Sequence, residues 1–297
     1  MSTALAGRRR ISEVAGIVSS YIQATGGTMY LSGGYMYHEF NSSGSFTVKS
    51  VPAFRDTSAG GPLSALSCID IMLIGGGGGG GIQGGVGGAG GGGGGYVFTR
   101  GIRIFPGTYE VVIGAAGTSS AGTPTQGGDT AFGRGVMTTP LTALGGGAGY
   151  PAPFSGGGNR NGGSGGGGGW PLGNNGGVAQ QPGSTTGGFG NNGKNGNGVN
   201  SAGGGGAGAD PGFNTGGYYP KKGDLINRYG LTGYSEIPNL GPTNIYGYGY
   251  AGGGNVLGQT DEPANSGSGA DGLTSAAGVA GSGNIILRYP YVSENYR

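Results

Sequence analysis

The chain has one histidine, His38, and one cysteine, Cys68, so these two make the only Cys–His couple it can build. Such a pair attacks carbonyls when the imidazole stands within hydrogen-bond reach of the thiol. A lone cysteine in an apolar run is far more often a small core residue, and one His with one Cys cannot supply a zinc ligand set. The 13 carboxylates leave room for a pair that hydrolyses glycosidic bonds. Most stand alone in loop-like stretches, where solvated charge is the ordinary reading. No catalytic residue, metal or cofactor is expected, and the chain reads as a non-enzyme.

Other signals dissolve on inspection. GxGxxG arises repeatedly by chance in a chain with 83 glycines, and no glycine block leads into the helix that a dinucleotide fold needs. Gly193-Lys194 is followed by Asn195, where a phosphate loop requires Ser or Thr. The triplet Arg8, Arg9, Arg10 stands in a chain of net charge +2, too isolated to imply nucleic acid. The aromatics say more. Tyr246, Tyr248 and Tyr250 alternate with glycine, which puts three phenols on one side of an extended segment. Tyr218, Tyr219 and Trp170 flank glycine or proline in loop-like sequence. Such rings suit a recognition surface for protein or sugar; they equally suit plugs between glycine segments or an oligomer contact, and both uses stand open here.

The elements that hold these residues are unusual. Glycine and proline (83 and 15 of 297) make up about a third of the chain, a share that signals disorder when no third-residue glycine period is present. Against disorder, only 9% of residues are charged and 34% are hydrophobic, so the chain should collapse. The glycine blocks are also framed by β-branched, apolar segments. Phe46 and Val48 alternate with polar neighbours as in a half-buried strand. Cys68 to Ile74 is a continuous apolar strand that runs straight into Gly75–Gly81, and 17 of the 21 residues from 75 to 95 are glycine. Tyr96–Thr99 and Ile102–Phe105 resume β character, and Phe105-Pro106-Gly107-Thr108 has a type II turn pattern before Tyr109–Ile113, which reads as a hairpin. Asn284–Tyr289 is a closing strand.

Ahead of these, Ile11, Val14, Ala15, Val18 and Ile22 follow the spacing of one helix face, with Gly26-Gly27 as its end. Ser12, Glu13, Ser19 and Ser20 break the continuous apolar core that an export signal requires. No run of 18 apolar residues occurs, so no membrane span is expected. The divisions expected are an N-terminal segment 1–40, a glycine-rich β domain 41–291 and a tail 292–297. The β domain carries glycine insertions at 75–95 and 145–217 and a tyrosine-rich, charged insertion at 218–262.

Ordering glycine costs roughly 1 to 2 kcal/mol of backbone entropy per residue, with no side chain to bury in return. Extended threefold helices of the polyproline II kind meet that cost: without Cβ atoms they approach closely and bond laterally through N–H and C=O. The blocks are therefore expected to form a rigid polyglycine II bundle.

Four features in this order carry a resemblance: the strand entering Gly75–Gly81, Phe105-Pro106-Gly107-Thr108-Tyr109-Glu110-Val111-Val112-Ile113-Gly114, Gly127-Gly128-Asp129-Thr130-Ala131-Phe132-Gly133 with Ala143–Gly147, and Gly281–Tyr289. Over 44–149 and 265–291 the chain resembles the glycine-rich domain of phage tail-fibre and other virion proteins. It is similar also to the glycine-rich region of anaplastic-lymphoma-type receptor kinases. The resemblance implies a mainly β fold, a jelly-roll-like β-sandwich with an inserted polyglycine bundle and, here, a short N-terminal helix. It implies a tail fibre or adhesin on the external surface of the particle, a homotrimer joined to other virion or tail proteins. Arg8, Arg9, Arg10, Ile11, Val14, Val18 and Ile22 are the anchoring candidates. Trp170, Tyr218, Tyr219, Tyr246, Tyr248 and Tyr250 are the candidates for a host-surface glycan or protein. A decoration or connector protein, a glycan-cleaving fibre and an antifreeze or cell-wall polyglycine protein are the competing readings.

Overall fold

The computed structural model describes residues 21–52, 67–82, 88–150, 159–169, 175–196, 201–207, 264–272 and 278–291. They form ten strands: β1 (Gln23–Thr25), β2 (Thr28–Ser32), β3 (Tyr35–Phe40), β4 (Gly44–Ser50), β5 (Cys68–Ile74), β6 (Tyr96–Arg103), β7 (Gly107–Val112), β8 (Thr130–Phe132), β9 (Leu141–Ala143) and β10 (Asn284–Pro290). Two five-stranded sheets result, a front sheet in the order β1-β4-β7-β8-β9 and a back sheet in the order β2-β3-β10-β5-β6. Every pairing is antiparallel. The fold is mainly β and sandwich-like. Among the described residues no helix is long and apolar enough to cross a membrane.

The two sheets differ in how their outer faces meet water. In the front sheet, β4 buries Phe46 and Val48 and leaves Ser45 and Lys49 exposed, the alternation of a strand with one wet face. In the back sheet, β5 buries Ile69, Ile71 and Leu73 toward the front sheet and also Met72 and Ile74 on the opposite side. A continuous apolar run is the sequence mark of a strand dry on both faces. The space between the sheets is filled by those residues with Phe46, Tyr109, Phe132, Ile285 and Leu287. Tyr109 stacks on Phe132 with centroids 5.6 Å apart.

His38 is a core residue. Its Nδ1 faces the Gly26 carbonyl at 2.7 Å, and its Nε2 stands 3.0 Å from the Tyr289 hydroxyl. A carbonyl only accepts, so Nδ1 carries the proton and Nε2 accepts from the tyrosine, which is a neutral imidazole. Burial pushes its pKa down, with the Gly26 bond opposing. Strand register sets His38 against Leu287 and Leu287 against Ile71, two strands across and three residues along from Cys68. The strand dimensions put that out of hydrogen-bond reach. Cys68 is buried at the foot of β5, where burial raises its pKa.

Two expectations change. Phe105–Thr108 does not close a hairpin: β6 pairs with β5, and β7 pairs with β4 and β8. Turn chemistry reverses the chain without choosing its partner, and this corner carries it from one sheet to the other. The Tyr109 hydroxyl holds the corner, donating to the Phe105 carbonyl and accepting from the Phe105 N–H, each at 3.0 Å. Gly26-Gly27 ends no helix but turns β1 into β2; Gly27 has φ +63°, and a Cβ on Gly26 would stand 2.2 Å from the Ser45 carbonyl oxygen. β1, β2 and β3, all within 21–40, belong to the two sheets. The residues of the expected helix up to position 20, with Arg8, Arg9, Arg10, Ile11, Val14 and Val18, lie outside the described residues. Ile22, the last of that face, is buried in the sandwich core just ahead of β1.

Candidate functional site

At one end of the sandwich six strands continue directly into glycine segments. β5 leads into 75–82, 88–95 leads into β6, β7 into 114–120, 125–128 into β8, β9 into 144–150, and 278–283 into β10. Residues 159–169, 175–181, 189–196, 201–207 and 264–272 join them.

Bonding between these segments repeats every three residues. Gly75, Gly78 and Gly81 donate to Gly95, Gly92 and Ala89, all on one antiparallel neighbour. Gly76 and Gly79 donate to Gly128 and Thr125, and Gly77 donates to Gly281. The carbonyls follow the same rule toward parallel neighbours. Gly76 and Gly79 accept from Gly146 and Gly149, Gly77 and Gly80 from Gly117 and Ser120, and Gly78 from Ala270. Segment 75–81 is thus ringed by six others. The segment 88–95 has the same period, with Gly90 and Gly93 on Ala202 and Gly205, Gly91 and Gly94 on Ala270 and Gly267, and Gly92 and Gly95 on Gly147 and Leu144.

Glycine is required here by space. A Cβ on Gly77 would stand 1.9 Å from the Ser268 carbonyl oxygen, on Gly78 2.1 Å from that of Gly147, and on Gly79 2.0 Å from that of Thr118. The α-hydrogen in that direction instead makes a Cα–H···O contact worth about 0.5 to 1 kcal/mol. Added to a net 0.5 to 1.5 kcal/mol for each lateral hydrogen bond, this is comparable with the roughly 1 to 2 kcal/mol that ordering each backbone costs. On the rim the same period admits side chains. Ala115 and Thr118, Asn175 and Val178, Asn192 and Asn195 are exposed at every third position, with buried or half-buried residues between, at least one of each two a glycine.

Where a neighbouring backbone is missing, a side chain substitutes for it. Asn161, Asn192 and Asn195 accept from the N–H of Val178, Ala179 and Gly176 at 2.7 to 2.9 Å. Gln181, fully buried, accepts from Leu144 N–H at 2.6 Å and donates toward Thr142, Ser184 and Gly187. Asp129 and Thr130 accept from Gly145 and Gly114 at the strand–array junction. In this setting asparagine and glutamine are backbone surrogates.

The body has two distinct ends. The chain enters at Tyr21 and leaves at Tyr291, whose rings are 4.6 Å apart at the sandwich end remote from the array. Along the sequence the segments are joined through 83–87, 121–124, 151–158, 170–174, 197–200 and 273–277. Of these 121–124 is described, and the Ser120 hydroxyl accepts from Gly122 and Thr123 N–H within it. At the far end of the array the residues flanking 83–87, 121–124 and 273–277 abut one another: Ile82 donates to Ser120, Ser119 donates to Gly278, and a Cβ on Gly272 would meet Gly88. Trp170 falls in the connection 170–174, outside the described residues. Tyr218, Tyr219, Tyr246, Tyr248 and Tyr250 belong to 208–263, also outside them.

The aromatic cluster that the structure does assemble went unread in the sequence. It lies on the outer face of the back sheet, where register aligns Tyr30, Tyr37, Arg288 and Asp70 across four strands. Tyr30 stacks on Tyr37, centroids 5.0 Å apart. Arg288 donates from Nε to Asp70 at 3.0 Å, with side chains 5% and 21% exposed. Its guanidinium lies over the Tyr35 ring, 4.7 Å from the centroid. Burial, with Glu39 and Tyr37 adding to it, pushes the Tyr30 phenol up to about 12. The next rows carry Ile286, Met72 and Phe98, then Ile74 and Tyr96. The signal available was the alternation Tyr35, Tyr37 and Tyr30 across Gly33-Gly34. Among the described residues no three His, Cys, Asp or Glu side chains converge as metal ligands would.

A family model described as a glycine-rich domain matches residues 56–290. The match spans well over half of the chain, and the chain belongs to that family. No curated protein matches it. The matched span begins after β4, although β1–β4 complete both sheets.

Proposed function

We propose that this member of the glycine-rich domain family is a virion structural protein, a tail fibre or adhesin, in which a rigid glycine array holds recognition loops away from an anchored sandwich. The observation that carries the reading is the polarity of the body. The described body begins and ends at one end, and residues flanking the connections 83–87, 121–124 and 273–277 abut one another at the other. An array bonded through its backbone in six directions resists bending without needing a hydrophobic core of its own.

Two finer structural assignments belong to this reading. The glycine segments are polyglycine II helices, supported by the three-residue period of donors, acceptors and Cβ exclusions. The sandwich is of jelly-roll type, supported by two five-stranded sheets with crossings at β1–β2, β3–β4, β4–β5, β6–β7 and β9–β10. Residues 1–20 anchor the protein and organise a homotrimer, and the connection bearing Trp170 contacts a host-surface glycan or protein. The protein performs no catalysis.

The experiment is immunogold labelling of intact particles with antibody to this chain, together with competition of particle adsorption by the purified protein. Gold at a fibre tip and competed adsorption support the reading. Gold on the head or at a joint, with adsorption unaffected, replaces it by a decoration or connector role; release of sugar from host polysaccharide would replace it by a glycan-cleaving one.

A further inference from the structure

We propose that Asn175-Gly176 is a latent modification site on the rim of the glycine array, a deamidation site that the side chain of Asn195 holds shut. In an Asn-Gly pair the glycine nitrogen, with no Cβ beside it, is the least hindered nucleophile toward the side-chain amide of the preceding asparagine. That nitrogen bonds to the asparagine Cγ and the Cγ–Nδ2 bond breaks. The amide group leaves as ammonia, taking the proton that the glycine nitrogen gives up. Water then opens the cyclic imide at one carbonyl or the other, giving aspartate or isoaspartate, and is the only co-reactant consumed. The sequence holds five Asn-Gly pairs. Four of them, at Asn161, Asn175, Asn192 and Asn195, are among the described residues, and all four asparagines are exposed. The fifth, at Asn197, lies outside them.

The array engages the groups that this reaction must move. Gly162 N–H donates to the Val178 carbonyl at 3.2 Å, while Asn161 Oδ1 accepts from Val178 N–H at 2.8 Å. Gly193 N–H donates to the Gly177 carbonyl at 2.9 Å, and Asn192 Oδ1 accepts from Ala179 N–H at 2.7 Å. In these two pairs backbone groups hold both the nucleophile and the side chain it would attack. Asn175-Gly176 is built differently. The Gly176 N–H donates to Asn195 Oδ1 at 2.9 Å, and the Asn175 carbonyl accepts from Arg160 Nη1 at 3.0 Å. One peptide unit is thus pinned at both of its polar groups, and both pins are side chains. Closing the imide ring takes the Gly176 nitrogen out of its bond to Asn195.

The product would disturb the array. Isoaspartate adds one methylene to the main chain, so the residues after 175 slip against neighbours spaced at three. Gln180 N–H donates to Gly162 and Gln181 N–H to Gly163, and the buried Gln181 side chain accepts from Leu144. The site rests on lateral bonding alone and is independent of whether the protein belongs to a virion.

The test follows deamidation by tandem mass spectrometry while the full-length protein is incubated at mildly alkaline pH. Asn175 should convert about tenfold slower than in the free peptide 172–179, and about fivefold faster in Asn195→Ala than in the wild type, the factor that one lost hydrogen bond supplies. Asn195→Asp, which keeps an acceptor, should keep the slow rate. Asn192→Ala removes the matching contact from the same segment, at Ala179, and releases no nucleophile of an Asn-Gly pair, so Asn175 should be unchanged in it. Equal rates in protein and peptide, or no acceleration in Asn195→Ala, overturn the proposal. So do an equal acceleration in Asn195→Asp or Asn192→Ala, and an equal rise at Asn161 and Asn192 in Asn195→Ala, which would mark general loosening.

Discussion

Gly77 donates its backbone N–H to the carbonyl of Gly281 across 2.8 Å. The two residues extend β5 and β10, which are neighbours in the back sheet, so the neighbour relation set by a sheet persists into a region without one. The strands bring the glycine segments into register, and the segments then bond in directions that a sheet does not use.

Because the exclusion at Gly77 is by backbone, nothing flexible can move aside. Gly77→Ala should cost about 3 kcal/mol or more, at the upper end for overpacking. Val178→Ala on the rim, 54% exposed, should change stability by less than about 0.5 kcal/mol. Chemical denaturation of the two variants checks the contrast, and equal losses would show that the array does not pack this way.

Tyr109→Phe removes the hydroxyl that both donates to and accepts from Phe105 while keeping the ring stacked on Phe132. A loss of about 1 to 2 kcal/mol is expected, with the Phe105 N–H left unpaired. Amide exchange at Phe105 should rise in the variant.

His38 is neutral in the fold and its pKa is lowered by burial, whereas in the unfolded chain it titrates near about 6.5. Between those two values the unfolded state binds more protons. Stability is therefore complete above about pH 6.5 and falls as pH drops toward the folded pKa. The slope of unfolding free energy against pH in that window should flatten in His38→Gln.

Asp70 holds an arginine that is 5% exposed. Asp70→Leu alone leaves that cation uncompensated and should cost about 3 kcal/mol, whereas Asp70→Leu with Arg288→Met should cost much less. Thermal unfolding of the wild type, both singles and the double variant closes the cycle.

Much of this was open to reading in the residues. Phe46 and Val48 show the wet-faced strand by alternation, and Cys68–Ile74 shows the dry one by its lack of it. Other parts were not. Tyr35 to Phe40 mixes His38 and Glu39 among aromatics, because His38 is satisfied by a turn carbonyl and a hydroxyl from β10, partners remote in the chain. Phe105–Thr108 encodes a reversal but not the sheet it leads to. Lateral bonding of the blocks could be expected, but which segment neighbours which in the glycine array hides most completely, since a residue without a side chain has no periodicity to display. Only its rim is legible, in Ala115 and Thr118 or Asn192 and Asn195 at intervals of three, and that spacing has meaning once the segments are seen side by side.

The central claim is that the glycine blocks are held by their backbones in a fixed lateral array. Residue-resolved amide hydrogen exchange on the native protein tests it most directly. The amides of Gly75–Gly81 and Gly90–Gly95 should be protected to the same degree as those of Ile71 and Leu73 in β5, opening only with global unfolding. Exchange of those glycines at the rate of an unstructured chain, with β5 still protected, would contradict it.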